Sequence, residues 1–352
     1  MSIARAAGRR QTAGFAREGG MGGIEAWLDG RDWLLADGAT GTNLFAMGLT
    51  AGESPELWNE TEPARIRALH QAFVDAGADI ILTNSFGANR RRLALHGLAA
   101  RTAELAAAAA RLARDVADRA GRRVLVAGSV GPTGDLLAPL GPLTEEEAVA
   151  VFAEAIEGLK AGGADVVWIE TMSAVEEMRA AARAAAACAM PYTVTASFDT
   201  AGATMMGIAP AAMAQATLGF RPRPHAIGCN CGVGASDLLA SVLAITAAEP
   251  DAVVIAKANC GIPTVGAEGV RYSGTPALMA RYAALARDAG ARIIGGCCGT
   301  TPGHLAAMRR ALDAHRAGAR PDLETVIAEL GPLVSPPPRA GATRRASARR
   351  AS

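Results

Sequence analysis

A (β/α)8 barrel is the fold this sequence predicts, on three observations. Short apolar runs recur eight times between residues 33 and 296, and each ends in small or polar residues. The runs are unbroken rather than alternating, which is the pattern of parallel strands covered on both faces. Helix-like stretches lie between most of them: Ile66, Leu69 and Phe73 share one face at helical spacing, as do Leu278, Tyr282 and Leu285. A glycine-centred phrase also precedes three of the runs, as Asp75-Ala76-Gly77-Ala78-Asp79, Ala161-Gly162-Gly163-Ala164-Asp165 and Asp288-Ala289-Gly290-Ala291-Arg292. Its glycine suits the C-cap of a helix that turns into the next strand. Strand-then-helix units repeated eight times over about 280 residues match the barrel, whose chemistry gathers at the carboxyl ends of its strands.

In order, the runs are residues 33–36, leading into Asp37-Gly38-Ala39-Thr40-Gly41; 78–82, into Thr83-Asn84-Ser85-Phe86-Gly87; and 124–127, into Gly128-Ser129-Val130-Gly131-Pro132. Next come 165–169, into Glu170-Thr171-Met172; 192–196, into Ser197-Phe198-Asp199; and a sixth that closes on Cys229-Asn230-Cys231-Gly232. The seventh, 253–256, enters Lys257-Ala258-Asn259-Cys260-Gly261, and the eighth, 291–294, enters Gly295-Gly296-Cys297-Cys298-Gly299-Thr300-Thr301-Pro302. A doubly wound sheet is the structural alternative, but the glycine-rich turn at Asp37 lacks the dinucleotide fingerprint and no Walker loop is present.

Composition limits the function classes. Half of the 352 residues are hydrophobic, enough for one large core, and the formal net charge of +1 gives no field that would draw nucleic acid or an anionic membrane. No apolar run reaches the roughly 20 residues that span a bilayer. Six cysteines in so long a chain do not form a secreted disulfide scaffold, so reduced thiols and a cytoplasmic location are expected. Residues 1–24, rich in Arg, Ala and Gly, read as a disordered leader; 25–330 as the barrel; and 331–352 as a disordered basic tail. The barrel leaves these 352 residues no room for a corrinoid or folate domain.

Neighbouring cysteines such as Cys297 and Cys298 cannot close an unstrained disulfide, because one peptide unit does not offer the required Cα spacing. Both can turn onto one metal, and Cys231 at another strand end supplies a third thiol. Three thiolates with an open position is how a soft, redox-inert ion such as zinc is held for chemistry. The residues alone leave a second reading, three unrelated core thiols. Two anions at the mouth of a barrel, Asp37 and Glu170, call for a cation; the alternative at Asp37 is an Asx turn into Gly38.

With these strand ends lined up, the sequence resembles the homocysteine S-methyltransferase family from about residue 33 to residue 315. The carrying motifs are Asp37-Gly38-Ala39-Thr40-Gly41-Thr42, Thr83-Asn84-Ser85-Phe86, Gly128-Ser129-Val130-Gly131-Pro132-Thr133-Gly134, Glu170-Thr171, Asn230-Cys231 and the double-cysteine loop. The resemblance implies zinc on Cys231, Cys297 and Cys298, with Cys188, Cys229 and Cys260 outside the site. It implies Asn259 as a fourth ligand before substrate arrives, unless that amide simply caps its loop. Asp37 and Glu170 would hold the homocysteine ammonium, and the backbone N–H groups from Gly38 to Thr42 would form a nest for its carboxylate.

The donor is specified less sharply. Relatives take methyl from betaine, from S-methylmethionine or adenosylmethionine, or from a methyl-corrinoid on a partner domain, as in the homocysteine-binding module of methionine synthase. The segment from Gly131 to Gly141 resembles the betaine-type bacterial enzymes and the corrinoid-linked modules. Betaine is the expectation for this chain, with aromatic faces of Trp58 and Phe86, and nearby Phe45 and Trp168, against its quaternary ammonium. Gly87 departs from the animal betaine enzymes, which carry tyrosine there. A non-catalytic zinc or thiol-sensing barrel is the reading from another class, and a homo-oligomer is compatible with all of these.

Overall fold

The computed structural model describes residues 27–28, 30–266 and 269–336. The expected leader, 1–24, and residues 337–352 of the expected tail lie outside the described residues. The eight apolar runs form eight strands: β1 Leu34–Leu35, β2 Ile80–Leu82, β3 Leu125–Val130, β4 Val166–Met172, β5 Tyr192–Ala196, β6 Ala226–Cys231, β7 Val254–Ala258 and β8 Ala291–Gly296. They share one sheet in the order β1-β8-β7-β6-β5-β4-β3-β2, with parallel pairing throughout. A parallel bridge between Ala36 and Ile80 closes the ring. There Asp37 N donates to Ile80 O at 3.0 Å and Asp79 N to Leu35 O at 2.7 Å.

Eight helices follow the strands: α1 Pro63–Asp75, α2 Thr102–Arg119, α3 Glu145–Ala161, α4 Val175–Ala187, α5 Pro210–Leu218, α6 Ala235–Ala248, α7 Pro276–Asp288 and α8 Pro302–Ala314. The glycine phrase acts as expected. Gly77, Gly163 and Gly290 adopt φ of 101°, 94° and 97°, just past the ends of α1, α3 and α7. After α1, Ala78 N donates to Phe73 O and Gly77 N to Val74 O, both at 3.0 Å, which is the Schellman pattern that satisfies the last helical carbonyls. Side-chain caps fix several starts: Thr144 and Glu147 form a capping box at α3, and Thr275 accepts from Leu278 N at α7. The Arg90-Arg91-Arg92 run likewise opens a short helix, capped by Asn89.

Alternation along the strands separates two apolar clusters. Leu34, Ile80, Leu125, Trp168, Ile255 and Ile293 belong to one that fills the barrel. Leu35, Ile81, Val126, Val167, Val254 and Ile294, one residue out of phase, pack outward under the helices. Because side chains repeat every second residue, the phase that buries Ala127, Trp168 and Ile255 also points Ser129, Glu170 and Lys257 inward at the carboxyl ends. A polar layer therefore caps an apolar barrel.

Two features extend the expected plan. Between β7 and α7 the chain makes an antiparallel hairpin of Pro263–Gly266 with Gly269–Tyr272. Residues 331–336, read from sequence as the start of the tail, lie on the barrel: Val334 N and Ser335 N donate to the Asp237 carboxylate at 2.9 and 2.8 Å, and Ser335 Oγ to Asp199 O at 3.1 Å.

His70 sits in the core side of α1, 1% exposed, with its Nε2 unpartnered. Burial pushes its imidazole down to about 4. The unfolded chain protonates it below about 6.5, so unfolding takes up a proton and stability falls as pH drops from about 6.5 toward 4, by up to roughly 3 kcal/mol. Urea unfolding at pH 7 and pH 4.5 should show a smaller acid loss in His70→Leu than in the parent. An equal loss in both would assign acid sensitivity to other groups.

Candidate metal and substrate site

The site begins with strand order. β6 and β8 are both neighbours of β7, so their carboxyl ends flank one strand end. The ladder continues past β8, where Cys297 N donates to Ala258 O at 2.7 Å and Cys260 N to Cys298 O at 2.8 Å. Gly296 lets the loop fold back, since a Cβ there would lie 2.3 Å from Thr300 Cγ2. Thr301 and Pro302 then start α8. On the other side Cys231 ends β6 at φ 64°, a left-handed conformation that non-glycine residues adopt at a cost of roughly 1–3 kcal/mol.

The result is that the Sγ atoms of Cys231, Cys297 and Cys298 all lie within 4.8 Å of one another, as free thiols. Among the described residues no other Cys, His, Asp or Glu joins the group. Without a cation these thiols resist ionisation. Cys231 is pushed up to about 12: its hydrogen bond with Cys297 pulls it down, but the bond with Cys298, burial and the Cys298 charge outweigh that. Cys298 reaches about 12 as the bond with Cys297, its charge and burial outweigh the bond with Cys231. Cys297 is raised further, first by its bond with Cys231. Three half-buried soft donors that repel one another as anions suit a thiophilic divalent ion, which would hold all three deprotonated. Cys188, Cys229 and Cys260 are buried elsewhere in the packing.

Two amides brace the cluster. Asn230 Oδ1 accepts from Thr171 N at 2.9 Å and Thr195 Oγ1 at 2.7 Å, while its Nδ2 donates to Thr171 Oγ1 at 2.7 Å and faces Cys297 Sγ at 3.8 Å. Asn259 Oδ1 accepts from Cys298 N at 2.9 Å, and its Nδ2 donates to Gly232 O at 2.6 Å with Cys231 Sγ at 3.6 Å. This is a loop-capping arrangement for the Asn259 amide, which accepts from Cys298 N through one of the two lone pairs of its oxygen. Tyr272, which sequence reasoning missed, packs on Gly299 beside Cys298.

The thiols open into a cavity of about 430 Å³. Glu170, buried, accepts from Ser129 Oγ at 2.5 Å and lines the cavity. Burial pushes its carboxyl up, with Lys257 and Ser129 pulling the other way. The Thr83-Asn84-Ser85-Phe86 motif sets this wall: Ser129 N donates to Thr83 Oγ1 at 3.0 Å and Ser85 Oγ to Ser129 O at 2.8 Å. Gly38 lines the cavity with backbone, and a Cβ there would meet Phe73 Cε1 and Thr300 O at 2.7 Å.

Asp37 sits differently from the reading that pairs it with a substrate ammonium. It is 1% exposed, off the cavity wall, and bound by Leu82 N at 2.7 Å and Lys257 Nζ at 2.7 Å. The cation that two buried anions require is thus supplied by the chain itself. Lys257 was overlooked, although a lysine two residues after inward-facing Ile255 in an otherwise apolar strand was the available signal. Phe86 and Phe45 line the cavity. Trp58 does not; it is buried beneath the Arg65 guanidinium, 5.1 Å away. Trp168 is fully buried in the barrel, 5.9 Å below Lys257 Nζ.

Comparison with known proteins agrees with this geometry. The family profile described as homocysteine S-methyltransferase matches residues 34–312. The methionine synthases of Mycobacterium tuberculosis and Mycobacterium leprae are 32% and 31% identical over 292 and 308 residues, covering 77% and 82% of this chain. The chain spans 24% and 25% of those two relatives. The crystal structure of the homocysteine methyltransferase MmuM from Escherichia coli, metallated form, superposes with a TM-score of 0.69 at 27% identity, covering 82% of this chain and 99% of that one. Its oxidised form gives 0.66 at 28% identity.

Equilibration with zinc followed by desalting should leave one ion per chain in the parent and in Cys188→Ser, and none in Cys298→Ser, by elemental analysis. Retention of zinc by Cys298→Ser would place the metal elsewhere.

Proposed function

Because this chain belongs to the homocysteine S-methyltransferase family, we propose that it binds one zinc ion on Cys231, Cys297 and Cys298 and methylates the thiol of homocysteine to give methionine, with betaine as donor. The observation that carries the reading is the convergence of three thiols from β6 and β8 at a cavity that also presents Glu170. Zinc with three cysteine ligands, when bound, keeps a fourth sulfur deprotonated at neutral pH while leaving it electron-rich.

The chain's own residues do the rest. Glu170, held by Ser129, takes the substrate ammonium in a charge-assisted hydrogen bond. Asn230 and Asn259 fix the orientation of the cysteine-bearing backbone, as outer groups do at metal sites. Phe45 and Phe86 line the cavity and are the aromatic side chains there that would meet a quaternary ammonium, with the Arg92 guanidinium already 5.6 Å over the Phe86 ring. Support for a structural zinc site is weaker, since such sites close all four positions with protein ligands and, among the described residues, no fourth Cys, His, Asp or Glu joins the three thiols.

A corrinoid-borne methyl group is the second reading, favoured by one observation: two relatives above 30% identity are methionine synthases about four times as long as the matched region. Position 87 bears on this choice. Gly87 N donates to Glu56 Oε1 at 2.7 Å, and a Cβ at 87 would lie 2.8 Å from that oxygen. The tyrosine of animal betaine enzymes therefore has no place here unless Glu56 moves.

Zinc-loaded protein with homocysteine should form methionine from betaine and not from methylcobalamin. Turnover with methylcobalamin alone would shift the donor to the second reading, and none with any donor, S-methylmethionine included, would remove the activity. Glu170→Gln should retain zinc and raise the KM for homocysteine about tenfold or more, in line with one lost charge-assisted bond; an unchanged KM would relocate the ammonium site.

A further inference from the structure

We propose that Lys257 determines specificity for the amino-acid head group: its ammonium takes the substrate carboxylate while Glu170 takes the substrate ammonium, so that the cavity reads a zwitterion. This rests on the homocysteine reading above and names how that substrate is recognised.

Apart from the thiols, Glu56, Glu170 and Lys257 are the ionisable side chains among the described residues that line the cavity. Both oxygens of Glu56 are occupied, Oε1 by Gly87 N at 2.7 Å and Oε2 by Ser54 Oγ at 2.8 Å. Asp37 does not reach the wall and is engaged by Leu82 N and Lys257. What remains to meet a ligand is one carboxylate and one ammonium. An α-amino acid carries the complementary pair on adjacent atoms.

Lys257 Nζ donates to Asp37 Oδ1 at 2.7 Å and to Asp37 O at 3.2 Å, which uses two of its three N–H groups and leaves one for a ligand. Asp37 thereby aims the ammonium and offsets part of the cost of burying it. Burying an ion pair costs several kcal/mol per ion and is often no more stable than an apolar pair of the same volume. Closing the barrel does not call for such a pair, whereas a binding site for an anion does. β7, which carries Lys257, also lies between the two cysteine-bearing strands. A thiol engaged at the cysteines therefore has its head group within reach of this side of the cavity.

The test uses zinc-loaded protein and three thiols, with dissociation constants read by calorimetry: homocysteine; 3-mercaptopropylamine, which lacks the carboxylate; and 4-mercaptobutyrate, which lacks the ammonium. Lys257→Met should weaken homocysteine and 4-mercaptobutyrate about tenfold or more and leave 3-mercaptopropylamine within about twofold, as expected for loss of one charge-assisted hydrogen bond. Glu170→Gln should give the reverse pattern between the two analogues. An equal loss for all three thiols in Lys257→Met would overturn the proposal and make the lysine a structural partner of Asp37. Should Lys257→Met fail to fold, Asp37→Asn/Lys257→Met removes both buried charges and carries the same expectation. Failure of the parent to bind homocysteine at all would overturn the homocysteine reading itself, a result distinct from parent binding with equal losses.

Discussion

The adjacency of β6, β7 and β8 is the constraint on which the site depends. A parallel strand carries its side chains to the carboxyl end in a fixed phase, and neighbouring strands lie about 5 Å apart. Cysteines at the ends of β6 and β8 are therefore two strand spacings, about 10 Å, apart across β7, and turns of backbone close the gap. Those turns are visible: Cys231 stands at φ 64° and Thr171, beside it through Asn230, at φ 61°. Both conformations cost energy, and the Asn230 hydrogen bonds that hold them bind β4, β5 and β6 together at this end.

A second constraint is charge. Asp37 and Glu170 are both driven toward the neutral acid by burial, and Lys257 opposes this in each case. Their positions follow from the barrel's phase. The layer below is apolar, with Trp168 and Ile255 closing it to water, so the polar layer is screened by protein from beneath and opens only toward the cavity. Interactions made there act in a lower dielectric than those on the surface. The same screening makes an unmatched charge costly, and Lys257 offsets part of that cost for Asp37 and Glu170.

Much of this was readable along the chain. The eight apolar runs are legible because parallel barrel strands are buried on both sides, so they lack the alternation that would confuse them with an amphipathic surface strand. The glycines at 77, 163 and 290 are legible because a left-handed C-cap residue favours glycine over any side chain. Cys297 and Cys298 are legible because adjacent thiols at a strand end have few structural uses. Lys257 was not, since a single lysine in a run such as Val254-Ile255-Ala256-Lys257-Ala258 looks like a solvated strand end until the phase of the strand is known. Trp58 appeared to be near a strand end, but distance along the chain does not tell whether a side chain faces the mouth or, as here, packs beneath Arg65.

By itself the sequence determined the repeat and the residue types at each strand end, because these follow from local periodicity and from the chemistry of Cys, Gly and Asp. The tertiary structure decided who meets whom. The oxygen of Asn259 meets Cys298 N, Asp37 meets Lys257 across 220 residues of chain, and Tyr272 reaches Gly299 beside Cys298 from a hairpin no periodicity announced. These partnerships depend on barrel closure and on the packing of loops at its mouth, long-range geometry that no local pattern encodes.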